Sequence, residues 1–387
     1  MRHGSTPRAM RAGATERDVM AALTTRAAER GAAWFPELNA DRTAARLTRR
    51  HPRRHALVVI LELSDGVTSR LAVAKMPRPY SGPQLDGLPS RPTLSPAAEP
   101  GELARAWYRG LERSHRHFTA LADPHLGSIR PLDLLEDLDA VVMEYVDRPN
   151  LRTRIVAEAR WHASGEPVDR LIEHAGRWLR EYHAAGGLAE LPLRCPTRSD
   201  LLSAFDRFLT YLADVSGEVR YFQALGEMAA RMAEHYLPDT LPLVVAHGDY
   251  APRNVFVGPG DRVAGFDAAP RVLGPSYEDV ARFLVAVRTS GVQVLSFGRA
   301  YATARLDSLQ ERFLHGYYAG EPPPLPALRA FELLVLLNKY SAVIARSGSD
   351  SLRVRLRARL RTGLYFRRLR VEVDRRTRLS DAGRSPA

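Results

Sequence analysis

The stretch VVAHGDYAPRNVFVGPGDRVAGFDAAP, residues 244–270, decides how this chain is read. Two short β-prone runs, NVFV (254–257) and VAGFD (263–267), flank the turn GPGD (258–261), which predicts an antiparallel hairpin. Pairing Val257 with Ala264 and Phe256 with Gly265 sets Val255 against Phe266 and Asn254 against Asp267. Directly opposed residues bring their Cβ atoms within about 4.5–5.5 Å. An amide oxygen and a carboxylate therefore meet at the open end of the hairpin, where hard oxygen ligands suit Mg²⁺. Asp249, five residues before Asn254, enters that same end. Phosphoryl transfer needs such a set: metal ions to neutralise the phosphoryl oxygens, and one carboxylate to orient the attacking hydroxyl and take its proton. The spacing gives Asp249 the hydroxyl, and Asn254 and Asp267 the metal.

Working outward, composition narrows the classes. With 387 residues, 45% hydrophobic and 26% charged, the chain has the profile of a globular protein of two or three domain-sized pieces. The single cysteine, Cys195, excludes an intramolecular disulfide and a cysteine-based zinc site. The apolar runs ALVVILEL (56–63) and FELLVLL (331–337) are core-sized, short of the roughly 18–20 residues of a membrane span. The N-terminal residues carry positive charge without a following apolar stretch, so no secretory signal is read there and a cytoplasmic protein is expected. Net charge is +12, yet of the 56 basic residues only Lys75 and Lys339 are lysines. A compact ammonium on a flexible stem does what a planar guanidinium cannot, which singles these two out.

Along the chain, 17–50 is expected to hold two helices, RDVMAALTTRAAER and ADRTAARLTRR, after a disordered leader over 1–16. HALVVILEL, the turn signal SDG and SRLAVAKM predict strand, turn and strand, with Lys75 near the end of the second strand. A long Pro- and Gly-rich loop covers 77–101, and a helix starts near Pro100 with Leu103, Trp107, Leu111, Ser114, Phe118 and Leu121 on one stripe. IRPLDLLED and DAVVMEYVD read as two more strands, and from Arg148 onward the pattern is mainly helical around the opening hairpin. The segment 353–378 contains eleven arginines but few aromatics for base stacking, chiefly Tyr365 and Phe366. It reads as a solvated face, which argues against nucleic acid or an anionic surface as the partner. The residues from 379 to 387 are expected to be disordered.

HGDYAPRN followed by Asp267 in GFDAAP resembles the H-G-D-x-x-x-x-N…D signature of the aminoglycoside phosphotransferase/choline kinase-like family. GPSYEDVARFL (274–284), AVVMEYV and AGRWLREYHAA resemble further segments of that family: the acidic-headed helix under the site, the interlobe hinge, and the helix before the catalytic loop. The resemblance implies an α+β, protein-kinase-like bilobed fold, with a small β-rich N-lobe over 17–146 and a larger, mainly helical C-lobe over 147–378. It implies ATP and Mg²⁺ as cofactors and transfer of phosphate to a hydroxyl of a small molecule or glycan. Asp249, His247 and Asn254 would form the catalytic loop, with His247 shaping it and Asp249 as base; Asn254 and Asp267 would hold the metal. Lys75 would contact the α/β-phosphates, and backbone groups of Glu144, Tyr145 and Val146 would bind adenine.

The family pattern also calls for a glutamate beside Lys75. Trp107 stands at that position here, and Glu102, Glu112 or no acid at all remain as alternatives. A non-catalytic nucleotide-binding module is the runner-up reading, favoured by that gap. Candidate acids for a cationic acceptor, Asp206, Asp214, Glu218, Glu278 and Glu332, form no cluster in the sequence. A neutral or anionic hydroxyl compound suits the basic chain as well.

Overall fold

A computed structural model describes residues 15–53, 56–78, 91–94, 98–161, 166–187, 191–289, 293, 296, 300–344, 363, 367, 370 and 371. Residues 1–14 of the leader expected over 1–16, most of the 77–101 loop, and most of the arginine-rich segment and tail lie outside these residues, while Thr15 and Glu16 of that leader cap and begin the first helix.

The first element is α1 (Glu16–Trp34), started by a reciprocal capping box in which Thr15 accepts from the Asp18 amide and Asp18 accepts from the Thr15 amide. Three strands follow: β1 (Ala44–Pro52), β2 (Ala56–Ser64) and β3 (Ser69–Pro77). The ADRTAARLTRR segment, expected to be helical, supplies β1 instead. Its Ala45 and Leu47 turn toward the core while its arginines face water, and its backbone is paired with β2 from Ala44↔Ser64 to Pro52↔Leu57. The ladder against β2 overrides a helix-like composition.

Next come α2 (Pro100–Leu121), β4 (Leu126–Gly127), β5 (Pro131–Leu135) and β6 (Ala140–Glu144). The antiparallel sheet has the order β1-β2-β3-β6-β5. One face packs against α1 through residues such as Val59, Leu61, Ala72 and Leu23; the other meets Trp107 and Leu111 of α2 through Ala56 and Val141. Cover on both faces explains why β2 reads as a continuous apolar run rather than an alternating one.

The remainder is mainly helical: α3 (Leu151–Trp161), α4 (Glu166–Ala184), α5 (Arg198–Ser216), α6 (Val219–Tyr236), α7 (Ser276–Arg288), α8 (Thr303–Tyr318) and α9 (Leu325–Ile344). Four short strands lie between α6 and α7: β7 (Leu243–Val245), β8 (Val255–Val257), β9 (Val263–Gly265) and β10 (Leu273–Pro275). One core joins α5, α6 and α9; a second joins α4 and α8 to Tyr250 and the β8–β9 hairpin. Among the described residues no helix is long and apolar enough to cross a membrane. Arg370, in the arginine-rich segment, pairs with Glu218 and lies over the Tyr221 ring at 4.5 Å.

Candidate active site

The loop from His247 to Asn254 leaves β7 and is pinned from below by Asp279, at the start of α7. Asp279 accepts hydrogen bonds from the His247 amide at 2.6 Å and the Gly248 amide at 2.9 Å, and its Oδ2 lies 3.2 Å from His183 Nε2. Burial works to raise the Asp279 pKa. The His183 contact, with the charges of His183, His247 and Arg282, outweighs it and holds the carboxyl well below the usual range. Gly248 has φ +84° with open space where a side chain would stand, so the backbone conformation alone requires glycine there. On the other side Tyr250 is fully buried, stacks on Trp178 at 5.5 Å and donates to the Ala175 carbonyl at 2.8 Å.

His247 is 1% exposed and edge-on to Tyr250 and Trp178; neither ring nitrogen has a hydrogen-bond partner among the described residues. Burial lowers its pKa against the pull of Asp279, Asp249 and Asp267, which suits an uncharged packing ring. Asp249, by contrast, is half exposed. Both its oxygens accept from Arg253, four residues on. The Asn254 side-chain amide donates to the Asp249 carbonyl at 2.8 Å and to its carboxylate at 3.1 Å.

The hairpin exists, but one residue out of the expected register. Val255 pairs with Gly265, Phe256 with Ala264 and Val257 with Val263, so Asn254 faces Phe266 and not Asp267; the Phe266 amide donates to the Asn254 carbonyl at 3.0 Å. The cause is the turn. Gly258 and Arg262 close a three-residue loop, with Gly260 and Asp261 both left-handed at φ +64° and +57°, where a two-residue loop was implied. Gly265 also allows close packing, since a Cβ there would meet the Trp178 ring at 2.5 Å. Asp267, just beyond β9, has φ +68° and pairs with Lys75 across the junction between sheet and helices. Burial pushes the Asp267 pKa up, and the Lys75 ammonium more than reverses that.

Lys75 lies in β3 between Val58 of β2 and Val141 of β6. Its ammonium sits 3.4 Å from the centroid of the Trp107 ring, a cation–π contact in a side chain only 12% exposed. Among the described residues neither alternative acid pairs with it: Glu102 is 3.7 Å from Arg271, and the carboxylate on Lys75 is that of Asp267. At the expected hinge the Glu144 amide donates to the Arg130 carbonyl at 3.1 Å, and the Tyr145 amide to the Leu71 carbonyl at 3.3 Å. The Glu144 carboxylate accepts from the Arg130 amide at 2.8 Å. Of the three hinge amides, Val146 is the one these bonds leave over.

Four contributors were not singled out for these roles in the sequence. Arg253 carried no helical i+4 signal, since 249–253 is not an α-helix. Trp107 was visible only as a missing glutamate, and His183 carried no signal. Lys339 stood out by rarity alone; its ammonium donates to the Thr289 hydroxyl at 2.9 Å.

The donor set suits a hard cation. The Asn254 NH₂ group donates twice to Asp249, so the oxygen is the part of its amide that a cation could take, and Asp267 adds a carboxylate already answered by a cation, Lys75. Among the described residues no cluster of three or more His, Cys, Asp or Glu side chains gathers at one point.

A two-faced antiparallel sheet joined to a helical body, with a polar loop at their junction, defines a protein-kinase-like fold. Solved structures agree: the chain is similar to a glucosamine kinase at 17% identity, covering 90% of this chain and 80% of that one with a TM-score of 0.50. It is similar also to a macrolide 2'-phosphotransferase from Brachybacterium faecium at 18% identity, covering 88% and 97% with a TM-score of 0.50. The model of the phosphotransferase enzyme family (APH) matches residues 87–327, more than half the chain, and the chain belongs to that family. A comparison with curated proteins found no match.

Proposed function

We propose that this phosphotransferase uses ATP with Mg²⁺ and transfers the γ-phosphate to a hydroxyl of a small molecule or glycan. The observation that carries the reading is the half-exposed Asp249 on a loop fixed from beneath, next to Asn254, with the Lys75–Asp267 pair across the junction. Residues 17–146 would bind the nucleotide and 147–378 would carry the reaction. Asn254 and Asp267 would hold the metal, which when bound neutralises phosphate oxygens. Lys75 would give up Asp267 for the phosphates, its ammonium still against the Trp107 ring.

The base would lie at the junction, among the partly buried Met143, Val146, Phe256 and Phe266, with the Val146 amide as donor. Asp249 would orient the acceptor hydroxyl and take its proton as the hydroxyl oxygen bonds to phosphorus and ADP leaves. His247 would keep the loop in shape without moving a proton.

The test is ATP consumption by the full chain with a panel of hydroxyl compounds, with and without Mg²⁺. Turnover that needs both metal and acceptor supports the reading. Tight ATP binding with no turnover across the panel would instead assign a nucleotide-binding module.

A further inference from the structure

Lys75 touches one carboxylate and one ring. Its ammonium donates to Asp267 Oδ1 and lies 3.4 Å from the centroid of the Trp107 ring. Among the described residues no other carboxylate forms an ion pair with Lys75, and no other cation forms one with Asp267. Glu102, one turn before Trp107 on α2, sits 3.7 Å from Arg271 instead. The lysine is fixed on β3 between Val58 and Val141, whereas Asp267 lies just beyond β9.

A ring and a carboxylate would act differently in the place of Trp107. A carboxylate there would neutralise the ammonium. An indole face attracts a cation through its quadrupole yet carries no net charge. Lys75 therefore keeps its full charge and directs it at Asp267. The lysine side chain is mostly out of water, where the attraction between opposite charges is less screened. Asp267 is also the carboxylate assigned above to the metal. Mg²⁺ takes a carboxylate oxygen at about 2.0–2.1 Å, so at Oδ1 it would contend with the ammonium for one atom. At Oδ2 it would face the ammonium across the same small group, like charge against like. Nucleotide phosphates relieve the conflict, since they offer Lys75 another anion and the metal further oxygens.

We propose that Lys75 holds Asp267 against a free divalent cation, and that Trp107 is the positioning residue that leaves it to do so. The inference rests on the reading of Asp267 as a metal ligand. Metal then joins Asp267 as the phosphates draw Lys75 away, and nucleotide and metal bind as a coupled pair.

The test is Mn²⁺ binding to the full chain without nucleotide, followed by the electron paramagnetic resonance of the free ion. Lys75→Met is expected to bind Mn²⁺ about tenfold more tightly than the wild type, within the usual range of coupling between two ligands. Lys75→Arg keeps the charge and should stay near the wild type. Trp107→Glu offers Lys75 a second carboxylate and should tighten binding severalfold; Trp107→Leu offers none and should not. A double variant controls for the added negative charge. With Lys75→Met already in place, Trp107→Glu should add nothing, whereas a plain attraction of the new carboxylate for the ion would add in full. Lys75→Met leaves Trp107 in place, so its comparison with Lys75→Arg decides the matter even if Trp107→Glu does not fold. Unchanged affinity in Lys75→Met, or a gain from Trp107→Glu that persists beside Lys75→Met, would overturn the proposal. Because no nucleotide is present, such a failure leaves the phosphotransfer reading to be judged by metal-dependent ATP consumption.

Discussion

Two carboxylates sit at the ends of the same few contacts and live in opposite surroundings. The Asp279 side chain is 2% exposed and bonded to two backbone amides and a histidine; that of Asp249 is 50% exposed and bonded to a mobile type of side chain, Arg253, and to Asn254. The first is committed to holding a loop. The second is held by that loop and left open to solvent. Burial with full hydrogen bonding builds the scaffold, and partial exposure on a fixed backbone leaves a group able to exchange partners and protons.

Removing each side of this contrast should have different consequences. Asp279→Ala strips the partners from two buried amides and leaves His183 without its carboxylate. It is expected to cost about 3–5 kcal/mol of stability, read by urea denaturation. The same pair gives a pH signature. A carboxyl held below its unfolded value contributes stability above about pH 4 and loses it progressively as the pH falls further. The wild-type midpoint should therefore drop in acid more steeply than that of any Asp279 variant that still folds.

A smaller effect belongs to the other charge at the junction. Trp107→Leu takes the ring from Lys75 and should raise KM for ATP about tenfold, corresponding to roughly 1–2 kcal/mol of cation–π contact. Trp107→Phe should recover much of that. Smallest of all is Arg253→Ala. It removes a half-exposed ion pair and should change stability by less than about 0.5 kcal/mol, a value that a denaturation curve bounds directly. A loss as large as that of Asp279→Ala would erase the distinction between the two carboxylates.

Much of this arrangement was legible in the sequence because its cues are local. The HGDYAPRN loop, the hairpin after it, the strands on either side of SDG and the helix start at Pro100 all follow from spacing and turn chemistry. The register did not, because GPGD is compatible with loops of two or three residues and only the left-handed Gly260 and Asp261 decide between them. β1 was misread since its alanines and arginines suit a helix until β2 offers a ladder. Trp107 over Lys75, and Lys339 on the Thr289 hydroxyl, join residues 32 and 50 positions apart, and no local pattern records such contacts.

The central claim is that Asp249 performs the chemistry while Asp279 holds the stage. Asp249→Asn keeps the shape and most hydrogen bonds of the side chain and removes its basicity. With an acceptor that the wild type phosphorylates, kcat is expected to fall by about 10²–10⁴-fold with the urea midpoint unchanged. Phosphotransfer at the wild-type rate in Asp249→Asn would contradict the account.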